Sequence, residues 1–185
     1  MRVAGLDYSM TSPAICLYDD ADGDMKFENC RSYYLTSVKK YDTIVKNMIG
    51  KYFEYKNDME RFDIISSFFL DRLMENEITK VFIEGYSMGS KGKVFNIAEN
   101  TGILKYRLWS FGIDFESVPP TVIKKFATGK GNADKEKMQT AFVEQNKIDI
   151  KFELGMTAKQ WNPSSDIIDA YWICKYGYQQ IRSVA

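Results

Sequence analysis

Four acidic residues have the types and positions expected of a catalytic cluster. Asp7 ends the short apolar run at residues 3–6, and Glu84 ends a second apolar run at residues 81–83. Short apolar runs of this kind are typical of buried strands, and sites in open α/β sheets form beyond the carboxyl ends of strands. Asp166 and Asp169 are three residues apart, a spacing that places both carboxylates on one face of a helix. If the two strands are neighbours, the acids meet at one edge of the sheet.

Each acid also has an ordinary structural explanation. An acid at a strand end can simply mark the point where the chain leaves the core. An acid in the first turn of a helix is stabilised by the helix dipole by about 0.3–1 kcal/mol. That explanation accounts better for Asp166 than for Asp169, which comes one turn later among Ile168, Tyr171 and Trp172. A carboxylate close to apolar side chains needs a partner or a metal ion.

The chain has no histidine. This excludes Ser-His-Asp and Cys-His catalysis and the HExxH zinc site. Oxygen ligands without histidine suit hard cations, and Mg²⁺ or Mn²⁺ fits four carboxylates best. Two such ions about 3.5–4 Å apart can activate water and stabilise the leaving oxygen of a phosphodiester. The residues alone therefore predict an α/β nuclease that uses two metal ions.

Length and composition favour one folded intracellular domain over residues 1–185. The chain has 185 residues, of which 45% are hydrophobic and 27% charged, with 25 basic and 25 acidic side chains. We expect no membrane partner, because no apolar run reaches the ~20 residues of a membrane-spanning helix. The first residues have no secretory signal pattern. Three cysteines without a CxxC pair favour a reducing compartment, so we predict the cytoplasm of a bacterium or of a phage-infected host.

Strand and helix patterns alternate along the chain and predict an α/β fold. Residues 36–57 are polar and aromatic, and their pattern predicts no element. Asn162 is expected to cap the last helix, with Pro163 in its first turn. We predict strands at about 3–7, 14–18, 27–35, 80–84 and 113–118, and helices at about 58–76, 94–111, 121–127, 134–147 and 163–182.

Four stretches, in this order, resemble the RuvC family of Holliday junction resolvases, within the RNase H-like superfamily. The first two are Gly5-Leu6-Asp7 with the Ser/Thr-rich turn after it, and Val81-Phe82-Ile83-Glu84. The third is specific: Val118-Pro119-Pro120-Thr121 continues to Lys125, and Gly129-Lys130-Gly131 and Ala133-Asp134-Lys135 follow. The fourth is the closing pair, Asp166 and Asp169. The resemblance covers residues 1–35 and 58–185.

The resemblance implies a mixed five-stranded sheet flanked by helices. It also implies a homodimer that cuts four-way DNA junctions with Mg²⁺ or Mn²⁺, two ions per site. Asp7, Glu84, Asp166 and Asp169 would be both the catalytic residues and the metal ligands. Basic side chains outnumber acidic ones in residues 91–137, a weak indication of nucleic-acid binding. The candidate DNA-binding residues are Lys124, Lys125, Lys130, Lys135, Tyr86, Lys91 and Lys93.

The family dimer is built largely on the helix after the second acidic strand. Ile97, Gly102, Leu104 and Leu108 in that helix are therefore candidate dimer contacts, and Gly102 would allow two helices to approach closely. Ordinary packing of these residues on the chain's own sheet is an equal alternative. In the loop before this helix, Tyr86 is a candidate for stacking on a base at the junction centre.

Three functions follow from these residues. The leading hypothesis is a structure-selective DNA endonuclease that resolves four-way junctions by symmetric two-metal-ion hydrolysis. The alternative is an RNase H-like nuclease that acts on RNA–DNA hybrids, flaps or other branched DNA, because the same acids serve all of these substrates. The third is a non-catalytic binder of DNA structures, in which the acids are relics.

Overall fold

A mixed β-sheet forms the centre of the protein. The computed structural model describes residues 1–85 and 94–184. Within those ranges the sheet has seven strands in the order β4-β5-β3-β2-β1-β6-β7. The strands are β1 (Arg2–Asp7), β2 (Ala14–Asp19), β3 (Cys30–Thr36), β4 (Ile44–Val45), β5 (Met48–Tyr52), β6 (Lys80–Glu84) and β7 (Asp114–Val118).

Helices cover both faces of the sheet. One apolar core lies between the sheet and α1 and α2, and the other lies between the sheet and α4 and α6. Apolar side chains alternate along β1 between these two cores, as period-two strand geometry requires. The helices are α1 (Asp58–Glu75), α2 (Val94–Ser110), α3 (Pro120–Thr128), α4 (Lys135–Asn146), α5 (Ile150–Glu153) and α6 (Ser164–Val184).

The predicted α/β class is confirmed, and the sheet is larger than predicted. All five predicted strands are present, and β4 and β5 are additional. Both come from residues 37–57, which we call the inserted segment. β5 runs parallel to β3, and the two-residue β4 closes the edge beyond it. This segment therefore extends the sheet on the side away from β6.

The inserted segment also contacts the chain that leads into α6. Lys40 Nζ donates a hydrogen bond of 2.6 Å to the Gly155 carbonyl oxygen, and Tyr41 Oη donates one of 3.0 Å to Gln160 Oε1. Lys46 forms an ion pair of 2.5 Å with Glu153. These contacts join the edge of the sheet to residues that lie more than 100 positions later in the sequence.

Helix α6 crosses β1 at very close range. A Cβ atom built at Gly5 would lie 2.1 Å from the Cys174 backbone nitrogen and 2.5 Å from the Ala170 carbonyl oxygen. Real Cβ contacts are not this short, so only glycine permits the crossing. A Cβ at Gly177 would likewise meet the Phe82 ring, at 2.1 Å. These two glycines set the distance between α6 and the two strands that carry Asp7 and Glu84.

No helix in the described ranges is both long enough and apolar enough to cross a membrane.

Candidate active site

The ends of two adjacent parallel strands bring Asp7 and Glu84 together. β1 pairs with β6 in parallel, with Leu6 opposite Ile83, so the next residue on each strand is the acid. Asp7 is buried and Glu84 is half-buried. Because parallel strands end at the same edge of the sheet, both carboxyl groups lie at its C-terminal edge.

The other two acids lie near the start of α6, which packs over β1. The helix begins at Ser164, so Asp166 is in its first turn and Asp169 in its second. Asp166 is buried and Asp169 half-buried. The prediction that Pro163 begins the helix was wrong by one residue.

The four carboxyl groups interact electrostatically. Burial, followed by the charges of Asp166, Glu84 and Asp169, raises the pKa of Asp7 well above its usual value. Burial and the charges of Glu84 and Asp166 raise the pKa of Asp169 to about 8. Burial likewise raises the pKa values of Glu84 and Asp166. Buried like charges this close are costly unless protons or cations neutralise them.

Hydroxyl groups from the loop after β1 hold the Asp166 carboxylate. Ser12 Oγ donates a hydrogen bond of 2.6 Å to Asp166 Oδ2, and Ser9 Oγ donates one of 3.3 Å to Oδ1. Asn162 Nδ2 in turn donates a hydrogen bond of 2.6 Å to Ser12 Oγ. Asn162, predicted as a helix cap, therefore helps to position Asp166. The Ser/Thr-rich turn is visible in the sequence. Its hydrogen bonds reach residues at least 150 positions away, so no local pattern could predict that it positions Asp166.

Two of the candidate DNA-binding lysines lie close enough to affect the acids. The charge of Lys124 partly offsets the rise in the pKa values of Glu84 and Asp169. The charge of Lys135 does the same for Asp166 and Asp169. Lys125 and Lys130 are exposed on α3 and on the loop that follows it. Tyr86, Lys91 and Lys93 lie outside the described residues.

The chemistry of these donors fits a hard divalent cation, although their present positions do not form a ligand cage. Within residues 1–85 and 94–184, no three acidic or cysteine side chains have the spacing that a metal ion needs. The Asp7 and Asp166 carboxyl groups are in hydrogen-bond contact with each other, and Ser9 and Ser12 donate hydrogen bonds to Asp166. Mg²⁺ and Mn²⁺ prefer carboxylate oxygens, and a cation would neutralise buried charge that Lys124 and Lys135 only partly balance.

Two of the predicted dimer contacts are corrected by the structure. Leu104 and Leu108 are completely buried in the chain's own core, between α2 and the sheet, so neither can line a surface between protomers. Ile97 is half-buried. Gly102 is exposed, and a Cβ there would meet no atom within 4 Å. Helical periodicity identified an apolar face of α2, but that face covers the chain's own sheet.

Comparisons with known proteins identify the fold through structure and not through sequence. No protein-family model matches the chain. No curated protein matches it at the level of sequence. Among solved structures, RuvC of Thermus thermophilus is similar, with a TM-score of 0.64 and 18% identity over 99% of this chain and 96% of that one. The same protein in complex with a Holliday junction substrate matches with a TM-score of 0.64 and 16% identity over the same shares of both chains.

A eukaryotic structure is also similar. The yeast mitochondrial Holliday junction resolvase Ydc2 matches with a TM-score of 0.56 and 12% identity over 99% of this chain and 84% of that one. Identities this low establish architecture and leave the activity open. With its mixed sheet and its flanking helices, the chain has the same fold as these RuvC and Ydc2 structures.

Proposed function

We propose that this chain is a structure-selective DNA endonuclease that resolves four-way junctions by metal-dependent phosphodiester hydrolysis. One observation carries the proposal: Asp7 and Glu84 end adjacent parallel strands, and α6 brings Asp166 and Asp169 to the same place. The likeness in fold to junction resolvases supports the choice of substrate, since one of those structures contains a Holliday junction. The three free cysteines suit activity in the cytoplasm of a bacterium or of a phage-infected host.

The four acids would hold two Mg²⁺ or Mn²⁺ ions, after small side-chain rotations that turn their oxygens toward a common point. Cations held by these acids would activate a water and would neutralise charge on the leaving oxygen. Ser9 and Ser12 would limit how far the Asp166 carboxylate rotates. The close crossing at Gly5 fixes the distance from α6 to Asp7.

Lysines near the acids would hold the DNA backbone. Lys124 and Lys135 lie close enough to influence the carboxyl groups, so each can neutralise a phosphate beside the cleavage point. Lys125 and Lys130 are exposed and can contact more distant phosphates. Contacts to phosphate fix the position of DNA without reading its sequence, so selectivity for a junction would come from shape.

The homodimer would form through the outer face of α2. Phe95, Tyr106 and Trp109 are 81%, 66% and 71% exposed. Their spacing places them, together with Gly102, on one stripe of the helix. The Tyr106 and Trp109 rings lie 6.1 Å apart. Exposed aromatic patches mark interaction surfaces, and this stripe replaces Leu104 and Leu108 as the proposed interface.

The deciding experiment offers the purified protein four labelled substrates: a four-way junction, a flap, a linear duplex and an RNA–DNA hybrid. Each is incubated with Mg²⁺, with Mn²⁺ and with EDTA, and the cleavage sites are mapped on every strand. We expect paired, symmetric nicks in the junction only, dependent on the cation. Preferential cutting of the hybrid or the flap would instead support the alternative nuclease on the same acids.

Asp7→Asn is the matching variant, because it preserves size and removes one charge. It should abolish cleavage and retain binding to the junction, measured by gel shift in Ca²⁺. Asp71→Asn is the control, since Asp71 is exposed on α1. Full activity of Asp7→Asn would show that the site is assigned wrongly. Junction binding by the wild type without cleavage of any substrate would favour the non-catalytic binder.

A further inference from the structure

A small cleft lies beside Asp169, between the start of α4 and the start of α6. Its volume is about 10 Å³, and Lys135, Trp161, Ser164, Ser165 and Asp169 are among the residues that line it. A water-sized group needs roughly 10–15 Å³. The cleft therefore admits one polar atom, such as a single oxygen of a larger group that stays outside.

Ser164 supplies an unused hydrogen-bond donor to this cleft. The residue is 1% exposed, and its Oγ has no hydrogen-bond partner among the described residues. Buried hydroxyl groups are nearly always paired, because an unpaired one loses its hydration without compensation. Ser164 is one of the residues that line the cleft, so rotation of its hydroxyl would bring the donor to an acceptor placed there.

The local charge at this end of α6 favours an anionic acceptor. Ser164 is the first residue of a 21-residue helix, whose N-terminus carries partial positive charge. Lys135 Nζ donates a hydrogen bond of 3.4 Å to Ser165 Oγ, so its ammonium group lies over the first turn. Asp169 contributes the opposing negative charge, which the cations of the proposed function would neutralise.

The cleft wall opposite the helix is held in place. Lys151 Nζ lies 3.5 Å from the centre of the Trp161 ring and donates a hydrogen bond of 3.1 Å to the Ala158 carbonyl oxygen. Lys151 is itself buried. The indole is therefore fixed before any ligand arrives, which lowers the entropy lost on binding.

We propose that this cleft receives one non-bridging oxygen of the DNA phosphate next to the scissile phosphate. Ser164 Oγ donates to that oxygen and Lys135 neutralises its charge. Ser164 precedes Asp169 by five residues, about 7.5 Å along the helix axis. That distance is comparable to the spacing of consecutive phosphates on one strand. The inference rests on the proposed function and names the DNA phosphate that this part of the chain would bind.

The test combines a protein variant with a change in the DNA. Ser164→Ala removes the donor, and a methylphosphonate at one position of a four-way junction removes one charged oxygen. Single-turnover cleavage in Mg²⁺ is measured for both proteins on junctions substituted at each phosphate near the cut. We expect Ser164→Ala to cut the unmodified junction about tenfold more slowly. At the neighbouring phosphate, methylphosphonate should slow the wild type by a similar factor and leave the variant without further loss.

Ser183→Ala is the matched control. It removes a serine from the far end of α6, where Ser183 Oγ donates to the Gln180 carbonyl oxygen. Its response to every methylphosphonate should equal that of the wild type. Thermal unfolding separates binding from stability: Ser164→Ala should keep the wild-type Tm or raise it, because an unpaired buried hydroxyl is removed.

Two results would overturn the inference. If Ser164→Ala responds to every substituted phosphate as the wild type does, the cleft binds no phosphate, and the resolvase proposal stands. If Ser164→Ala lowers the Tm and slows cleavage equally on all substrates, the hydroxyl is structural. A wild type that cuts no junction would instead remove the proposed function itself, and the cleft proposal with it.

Discussion

Ser12 joins two sequence-distant parts of the site, since it accepts a hydrogen bond from Asn162 and donates one to Asp166. Hydrogen bonds to a metal-binding carboxylate typically change metal affinity by about 10–100-fold when they are removed. Ser12→Ala should therefore weaken Mn²⁺ binding about tenfold, measured by titration calorimetry. Cleavage should fall at low Mn²⁺ and recover at high Mn²⁺.

Ser37→Ala serves as the control for this change, because Ser37 is exposed and lies in the inserted segment. It should bind Mn²⁺ as the wild type does. Loss of cleavage in Ser12→Ala that no concentration of Mn²⁺ restores would contradict a positioning role.

The raised pKa values of the acids predict how stability depends on pH. Asp169 has a pKa of about 8 in the folded protein, against an ordinary value of 3.8. Between these two values the folded state binds more protons than the unfolded state, so stability falls as pH rises. In EDTA, Tm should decrease from about pH 4 to about pH 8, as followed by circular dichroism. Mg²⁺ or Mn²⁺ should offset the decrease.

Asp169→Asn tests the same point by removing the charge. Its Tm in EDTA should exceed that of the wild type at pH 8 and approach it at pH 5. An Asp71→Asn control should follow the wild-type curve, because Asp71 is exposed. A wild-type Tm that rises steadily over this pH range would contradict the assigned cause.

Individual residues differ in how far the sequence could predict them. Asp7 and Glu84 end apolar runs, and that local pattern was enough to place them at the ends of buried strands. Ser12 and Asn162 carry no such pattern, because their importance arises from contacts across the fold. Leu104 and Leu108 show the opposite kind of error. The periodicity of α2 places them on an apolar face, but it cannot show whether that face packs on the chain's own sheet or on a second protomer.

At the scale of elements, the crossing of α6 over β1 depends on the absence of a side chain at Gly5. The atoms that a new Cβ would meet belong to the backbone of α6, so they cannot rotate away. Gly5→Ala should lower the free energy of unfolding by about 1–3 kcal/mol, measured by urea denaturation. It should also reduce cleavage under conditions in which the variant stays folded, because α6 would move away from Asp7.

Elements with strong apolar periodicity were predicted with nearly correct bounds. Helix α1 was expected at about 58–76 and spans Asp58–Glu75, and all five predicted strands exist. β4 and β5 were missed for a physical reason. β4 has only two residues, and β5 contains Gly50 and Lys51 among its five, so neither shows a regular alternation. Pairing with β3 stabilises β5, and pairing of that kind is not visible in local sequence.

At the scale of the whole molecule, the exposed stripe on α2 predicts the oligomeric state. The wild type should be a dimer in analytical ultracentrifugation, and Trp109→Glu should be a monomer, because a charge would enter an apolar interface. The monomer should lose the paired symmetry of its cuts. Phe152→Glu is the matched control, since Phe152 is 81% exposed on α5 and lies outside the stripe. A monomeric wild type would contradict this prediction.

The inserted segment links the outer edge of the sheet to the chain entering α6 through Lys40, Tyr41 and Lys46. Proteins open locally in roughly contiguous cooperative units, and we expect these joined regions to form one of them. Amide hydrogens of β5 and those of the first turn of α6 should therefore exchange with deuterium at a shared opening free energy. A mutation in the inserted segment should speed exchange around Asp166, so the outer edge of the sheet would determine how long the end that carries the four acids stays closed to solvent.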